Sequence, residues 1–256
     1  MLILRLFSRQ WWWSTLLVLA AMGVMLRLGI WQLERLEQRR AFNARVLAGQ
    51  NAPPLELTQA TLTDPLEDME YRTVTVTGEY DVEHQVALRN RVWYGKPGYD
   101  LLTPLKIAGT DMAILVNRGW VPVSFIPGGE QTYPAPGVVT LTGIIRLSQS
   151  APDFGGSGAV TPRADEILTV VSLVNVEAIA AQLPYPILPV YIQRAPDASL
   201  PADVNAWTDQ HLPYPGLPEI EISEGPHLGY ALQWFTFALI LGLGYPVFIV
   251  RQKETK

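Results

Sequence analysis

The sequence predicts a membrane protein: two transmembrane α-helices, N- and C-terminal, flanking an antiparallel β-rich extracytoplasmic domain of barrel-like type. Three observations predict it. HLGYALQWFTFALILGLGYPVFIV, residues 227–250, has no acidic or basic side chain apart from its leading histidine. A hydrocarbon core about 30 Å thick needs about 20 apolar residues at 1.5 Å each, so this stretch is long enough to cross one. WWWSTLLVLAAMGVMLRLGIW, residues 11–31, is a second such stretch, broken only by Arg27. Between them, short runs of Thr, Val, Ile and Tyr alternate with polar residues, as half-buried strands do.

In the first span, Trp11, Trp12, Trp13 and Trp31 bracket the apolar run like an interfacial aromatic belt. Arg27 lies one turn from its end, where a guanidinium can snorkel to the headgroups. A cleaved signal peptide would show a short apolar run and then a small-x-small site. Here GIWQLERLEQRR follows, which reads as a helix continuing into water, so the span is an uncleaved anchor.

The middle segment is one domain by length. APPLELTQATLTDPLEDME links the anchor to YRTVTVTGEY, residues 71–80, which alternates strictly. A turn at residues 81–83 leads to HQVALRNR, read as its hairpin partner. After a loop with Gly95, Pro97 and Gly98 come LLTPLKI and MAILVN, a hairpin joined by AGTD. FIPGGEQTYPAPG is a turn-rich excursion. VVTLTGIIR is a strand in which Gly143 marks a bulge, and ILTVVSLV is another. Asn175 N-caps a short helix, VEAIAAQL. VYIQR and EIEI are final short strands. LPYPILP and LPYPGLP are near copies, stiff and extended. They read as a rigid link that positions the second anchor, or as a docking segment for a membrane partner.

Two spans place both termini on one side. Arg251, Lys253 and Lys256 follow the second span; Glu219, Glu221 and Glu224 precede it. The positive-inside rule puts the C-terminus in the cytoplasm or matrix, whereas arginines on both sides of the first span decide nothing. The expected division is residues 1–10 cytoplasmic, 11–31 first span, 32–226 extracytoplasmic, 227–250 second span and 251–256 cytoplasmic tail.

Composition excludes several classes. The middle domain has about twice as many acidic as basic residues, against nucleic acid as a partner. There is no cysteine. That removes disulfides, thiolate copper transfer, Fe–S ligation and covalent c-type haem. Nucleophile elbow, Walker loop, HExxH and dinucleotide fingerprint are absent from the sequence, and no triad or metal cage follows from spacing, so an enzyme is not expected. His84 and His211 read as solvated surface residues.

His227 opens the second span, and an ionisable side chain at the mouth of a membrane helix calls for a function. On a helix, His227, Tyr230, Ala231 and Trp234 share a face. A neutral imidazole is a good axial ligand for haem iron, and aromatic rings with a small alanine suit a flat porphyrin. By periodicity alone the plainer reading is an interfacial histidine bonded to lipid or to the Pro-rich loop. Arg27 and Arg35, with Trp31 and Gln32 between them, would meet the outer end of the second helix if the two pack. An arginine there could clamp a propionate, or simply snorkel. Ala238 and Gly242 give the second helix a small-residue stripe for close packing.

Together GIWQLERLEQR, YRTVTVTGEY, GYDLLTPL, ILVNRGWVP, LTGIIR and PHLGYALQWFTFA occur in an order that resembles the surfeit locus protein 1 family of cytochrome c oxidase assembly factors, end to end. The resemblance implies a non-enzymatic, chaperone-like membrane protein of the respiratory chain. It would assist delivery of haem a to the catalytic subunit of a haem–copper oxidase, in contact with the bilayer and with haem a synthesis machinery. It implies His227 as the metal ligand, with Tyr230, Gln233 and Trp234 as its matching surroundings, while Arg27 stays the haem-binding candidate read from the helix spacing. Gly225–Pro226 departs from the family's Asn-Pro lead-in. Asn117–Arg118–Gly119–Trp120 resembles the family core, read as a strand end turned by Gly119 with Arg118 paired inside. With the anchor starting almost at once, the expected site is a bacterial plasma (inner) membrane rather than the mitochondrial inner membrane. Two alternatives stand: a scaffold from the same family that never touches haem, and an extracytoplasmic ligand- or lipid-binding module.

Overall fold

A computed structural model describes residues 6–125, 133, 137–150, 168–196, 200–201, 203–216 and 220–252. The helices are α1 (Trp12–Asn51), α2 (Val176–Ala180) and α3 (His227–Arg251). The strands are β1 (Leu55–Leu57), β2 (Thr73–Tyr80), β3 (Val86–Trp93), β4 (Lys96–Ile107), β5 (Ala113–Pro122), β6 (Val138–Leu147), β7 (Val170–Val171) and β8 (Ile187–Arg194). They make two compact units: Met1–Ala44 with Glu221–Lys256, and Arg45–Ile220.

In the first unit α1 and α3 pack antiparallel. A Cβ added at Gly29 would come 2.5 Å from the Phe235 ring, and one at Gly242 would meet Met22. The Tyr245 hydroxyl lies 2.7 Å from Ser14 Oγ and 2.9 Å from Thr15 Oγ1. On α1 the packed positions are Thr15, Met22, Gly29, Leu36 and Asn43, one every seven residues. That is the seam period of helices that wrap around one another. On α3 it is met by Ala231, Ala238, Gly242, Tyr245 and Ile249. Small residues dominate because dispersion at close approach, not water expulsion, holds helices together in lipid. Only 6% and 11% of the most apolar stretches of the two helices are buried. A soluble protein would have hidden them, so both remain long and apolar enough to cross a membrane. At 1.5 Å per residue α1 reaches about 60 Å, twice a hydrocarbon core, and the sequence-predicted continuation beyond Trp31 is real.

In the second unit, β2 pairs with β6, β6 with β8, β8 with β5, and β5 with β4. Tyr80 then pairs back to Leu105 and Gly78 to Ile107, so β4 meets β2 and the five strands close into a barrel. At Gly78 any Cβ would strike the Lys106 carbonyl, so the closure needs a residue without one. Only β5 and β8 run parallel within the ring. The barrel is filled by Val74, Val76, Leu105, Ile114, Val116, Ile145, Val190 and Ile192. Alternate residues point outward, and Leu88, Leu102, Leu115 and Tyr191 form a second core under α2 and β3. Asn175 caps α2 as expected, its Oδ1 accepting from Ala178 N at 2.9 Å.

Several expectations are corrected. Gly143 marks no bulge, since β6 runs through it in unbroken register with β2 and β8; among the described residues of ILTVVSLV only Val170–Val171 form a strand; and Leu55–Leu57, within the segment expected to be a link, pair with β2. HQVALRNR is not the hairpin partner of β2: β3 pairs with β4. The reason is Asp81, whose Oδ2 accepts the Tyr185 hydroxyl at 2.7 Å and lies 3.3 Å from Lys106 Nζ and 3.0 Å from His84 Nδ1. These anchors turn the chain through a short 3₁₀ segment, Val82–His84, away from β2. His84 is thus half-buried in a polar cluster, not a free surface residue. Pro97 and Gly98, read as loop, lie inside β4, and the end of LPYPILP already belongs to β8. Residues 220–222 of the EIEI segment form no strand; Arg39 donates to the carbonyls of Glu221 and Ser223 and Asn43 to that of Ser223. The turn-rich excursion lies outside the described residues except for residues 125, 133 and 137.

Candidate functional site

His227 is the first residue of α3 and faces α1. Its Nδ1 lies 2.8 Å from Gln32 Oε1. In the neutral tautomer protonated at Nδ1, that nitrogen donates to the amide oxygen and Nε2 keeps its lone pair, the form a metal ligand needs. Gly225, with φ +64°, faces the same nitrogen: a Cβ there would sit 3.5 Å from Nε2. The chain's departure from the Asn-Pro lead-in therefore leaves open space beside the ring. A polar clamp sets the approach to α3. Arg39 donates to the carbonyls of Ser223 at 2.9 Å and Glu221 at 2.6 Å, Asn43 donates to Ser223 O at 3.1 Å, and Arg40 grips Glu224 with two bonds of 2.7 and 2.9 Å.

Of the other residues singled out in the sequence, Tyr230 lies on α3 and is 48% exposed. Trp234 is half-buried, edge-on to Phe237 with ring centroids 6.2 Å apart. Arg27 turns to Glu34 on its own helix, 3.6 Å away, with most of its side chain exposed. The structure thus unites His227 with Gln32, and gives Arg27 a carboxylate partner within α1. Among the described residues no group of three or more His, Asp or Glu could hold a metal ion.

The barrel unit carries a second feature, a cavity of about 340 Å³. Its floor is a polar relay. Asn117 Nδ2 donates to Asp100 Oδ2 at 2.9 Å and to Gln193 Oε1 at 3.0 Å, and Gln193 Nε2 donates to Gly216 O at 2.7 Å. Arg91 lies 3.4 Å from Asp100. Burial raises the Asp100 carboxyl above its ordinary pKa; the Asn117 bond and the Arg91 charge only partly offset this. Arg146 sits over the Tyr71 ring at 4.8 Å. The aromatic wall is Trp93, stacked with Trp207 at 5.5 Å, and Trp120, stacked with Tyr214 at 5.8 Å.

Gly119 makes that wall possible. Its φ of +126° is closed to ordinary side chains, and a Cβ would strike the Tyr214 carbonyl. Leu101 and Leu102 pair with Gly119 and Asn117, so Arg118 is the extra residue of a bulge. It is buried, donates to Tyr133 O at 2.8 Å and Gln85 Oε1 at 3.2 Å, and stacks on Tyr80 at 4.7 Å. The inward-paired Arg118 read from the motif is what the fold uses. The two Pro-Tyr-Pro copies also acquire roles inside the barrel unit: Tyr185 bonds Asp81, and Tyr214 pairs with Trp120 as an isolated bridge.

The seven-residue seam and the Arg91–Asp100–Arg146 grouping escaped the sequence reading. The seam was detectable as the repeat of residues 15, 22, 29, 36 and 43. The pocket was not, because bulges in β3 and β5 set which side chains meet there.

These features define a class: a small closed barrel borne on a chain with two helices able to span a bilayer. The model of the SURF1 family matches residues 19–239. The chain belongs to that family, a family of oxidase assembly factors. A SURF1-like protein of Caenorhabditis elegans is 27% identical over 253 residues, covering 91% of this chain and 73% of its own length. An uncharacterised SURF1-like protein of Mycobacterium bovis is 28% identical, covering 84% and 74%. One from Rickettsia felis is 33% identical over a shorter stretch, 42% of this chain and 46% of its own length.

Proposed function

We propose that the chain assists assembly of a haem–copper oxidase, holding haem a transiently through His227 for transfer to the catalytic subunit, without catalytic turnover of its own. The observation that carries this reading is the Gln32 bond to His227 Nδ1, which leaves Nε2 free to ligate beside a glycine. Haem iron supplies the open coordination position; the protein supplies one imidazole and an aromatic face, Trp234 and Tyr230, along the same helix. A single weak ligand set suits a carrier, which must release what it binds. Arg27 would leave Glu34 to meet a propionate. The basic flank beginning at Arg251 favours a cytoplasmic C-terminus by the positive-inside rule, and in a bacterial inner membrane His227 would then stand at the outer leaflet with the barrel outside.

The test is co-expression with haem a synthesis enzymes, purification in detergent and a pyridine haemochrome spectrum. Wild type should carry haem a and His227→Ala should lose it. Gln32→Leu should lower occupancy by about tenfold, the usual cost of removing a ligand's orienting partner. Wild type without haem, or His227→Ala with wild-type occupancy, overturns the carrier reading and leaves the haem-free scaffold.

A further inference from the structure

We propose that the cavity on the outer face of the barrel binds a small organic carboxylate with a flat apolar body. This goes beyond haem transfer and does not depend on it.

The argument begins with charge. Two guanidinium groups, Arg91 and Arg146, border the cavity against one carboxylate, Asp100. Of the two, Arg91 keeps the open donor. Arg91 Nε is buried without a hydrogen-bond partner, and lies 3.4 Å from Asp100 only as an ion pair; the nearest carboxylate to Arg146 Nε, on Glu70, is 3.9 Å away. Arg146 is held by Glu70, the Tyr191 hydroxyl and the Tyr71 ring, so the open donor is Arg91 Nε, and a buried guanidinium donor left open is the complement of a carboxylate oxygen. The acceptors on the wall are already committed, since Gln193 and Asn117 spend theirs on each other and on the backbone.

Size and shape then select the rest of the ligand. Liquid water takes about 30 Å³ per molecule, so 340 Å³ would hold an inorganic anion with most of the space left over. It lies at the lower end of small-molecule sites. The wall opposite the polar relay is Trp93, Trp120 and Tyr214, with Trp93 and Trp120 only 25° from parallel. Flat aromatic faces favour a flat apolar body by stacking.

The test uses the full-length protein in detergent micelles and indole-3-propionate as probe, with its neutral amide as comparison, followed by saturation-transfer NMR against empty micelles. Saturable binding is expected, with the acid at least about tenfold tighter than the amide, as one charge-assisted bidentate contact implies. Arg91→Gln should weaken the acid about tenfold and leave the amide unchanged. Arg89→Gln, an exposed residue of the same strand, removes the same charge and should change nothing. A thermal melt of each variant shows that it is folded, and Arg91→Lys, which keeps the charge but loses the fork, should fall between. No saturable binding, equal affinity for acid and amide, or wild-type affinity in a folded Arg91→Gln protein would each overturn the proposal.

Discussion

The helical unit and the barrel unit bury opposite things. Inside the barrel the fully hidden side chains are large and apolar, Leu105, Ile114, Ile145 and Ile192 among them. Between the helices the hidden residues mix the small Thr15, Ala231 and Ala238 with Leu36 and Ile249, while Leu239, Ile240, Leu243 and Val247 stand exposed. The difference teaches that each unit is built for its own solvent. Water expels large apolar side chains at about 25 cal/mol per Å², which gives the barrel its core. Lipid would not, so a helix pair in a bilayer would gain little by hiding leucine and would gain by bringing backbones close.

Breaking this contrast should work most strongly in the barrel. Gly119→Ala combines a forbidden φ with a clash against the Tyr214 backbone, and should cost roughly 3 kcal/mol or more, enough to abolish a cooperative near-UV melt. Gly229→Ala in α3, where nothing lies within 4 Å, should raise helix stability by up to about 1 kcal/mol. The same alanine substitution with opposite signs would establish that the positions differ in geometry and not merely in residue type.

Next in size, Leu105→Ala should cost about 2–5 kcal/mol by urea titration. Leu243→Ala, exposed on α3, should leave that titration unchanged. Equal losses would sink the two-solvent account.

The polar cluster of the barrel gives a smaller, pH-dependent effect. Burial alone would raise the Asp81 carboxyl, but bonds from Tyr185, His84 and Lys106 outweigh it and bring it down from 3.8 to about 2. A depressed carboxylate contributes stability above its unfolded pKa and loses it as pH falls through the folded one. Wild type should therefore lose stability between about pH 4 and pH 2, and Asp81→Asn should flatten that limb of the curve. Tyr185→Phe should cost about 1–2 kcal/mol at neutral pH.

Smaller again is the hydrogen bonding at the far end of the helix pair. Tyr245→Phe removes its contacts to Ser14 and Thr15 and should weaken helix association by about 0.6–1.7 kcal/mol in a dodecyl sulfate titration.

Helical periodicity and composition made the spans legible, because a bilayer tests nothing but apolar length. Strict alternation made β2 and β6 legible as strands, and turn chemistry paired β4 with β5. Alternation could not say which strand neighbours which, and the β2–β3 hairpin failed there: Asp81 finds its partner 104 residues away, at Tyr185. At the candidate site, His227 drew attention as an ionisable group at a helix mouth, but its tautomer depends on Gln32, 195 residues distant. Arg91 meets Asp100 because the β3–β4 register shifts between Leu88 and Arg91, which no local pattern announces.

Taken alone, the chain's order of residues determined two apolar helices, a β-rich segment between them and an aromatic face led by a histidine, because each depends on local period and composition. Which strands close the ring, which way His227 carries its proton and which charges share a cavity were decided only in three dimensions. Those properties arise from pairs of groups far apart in the chain, whose meeting no local preference encodes.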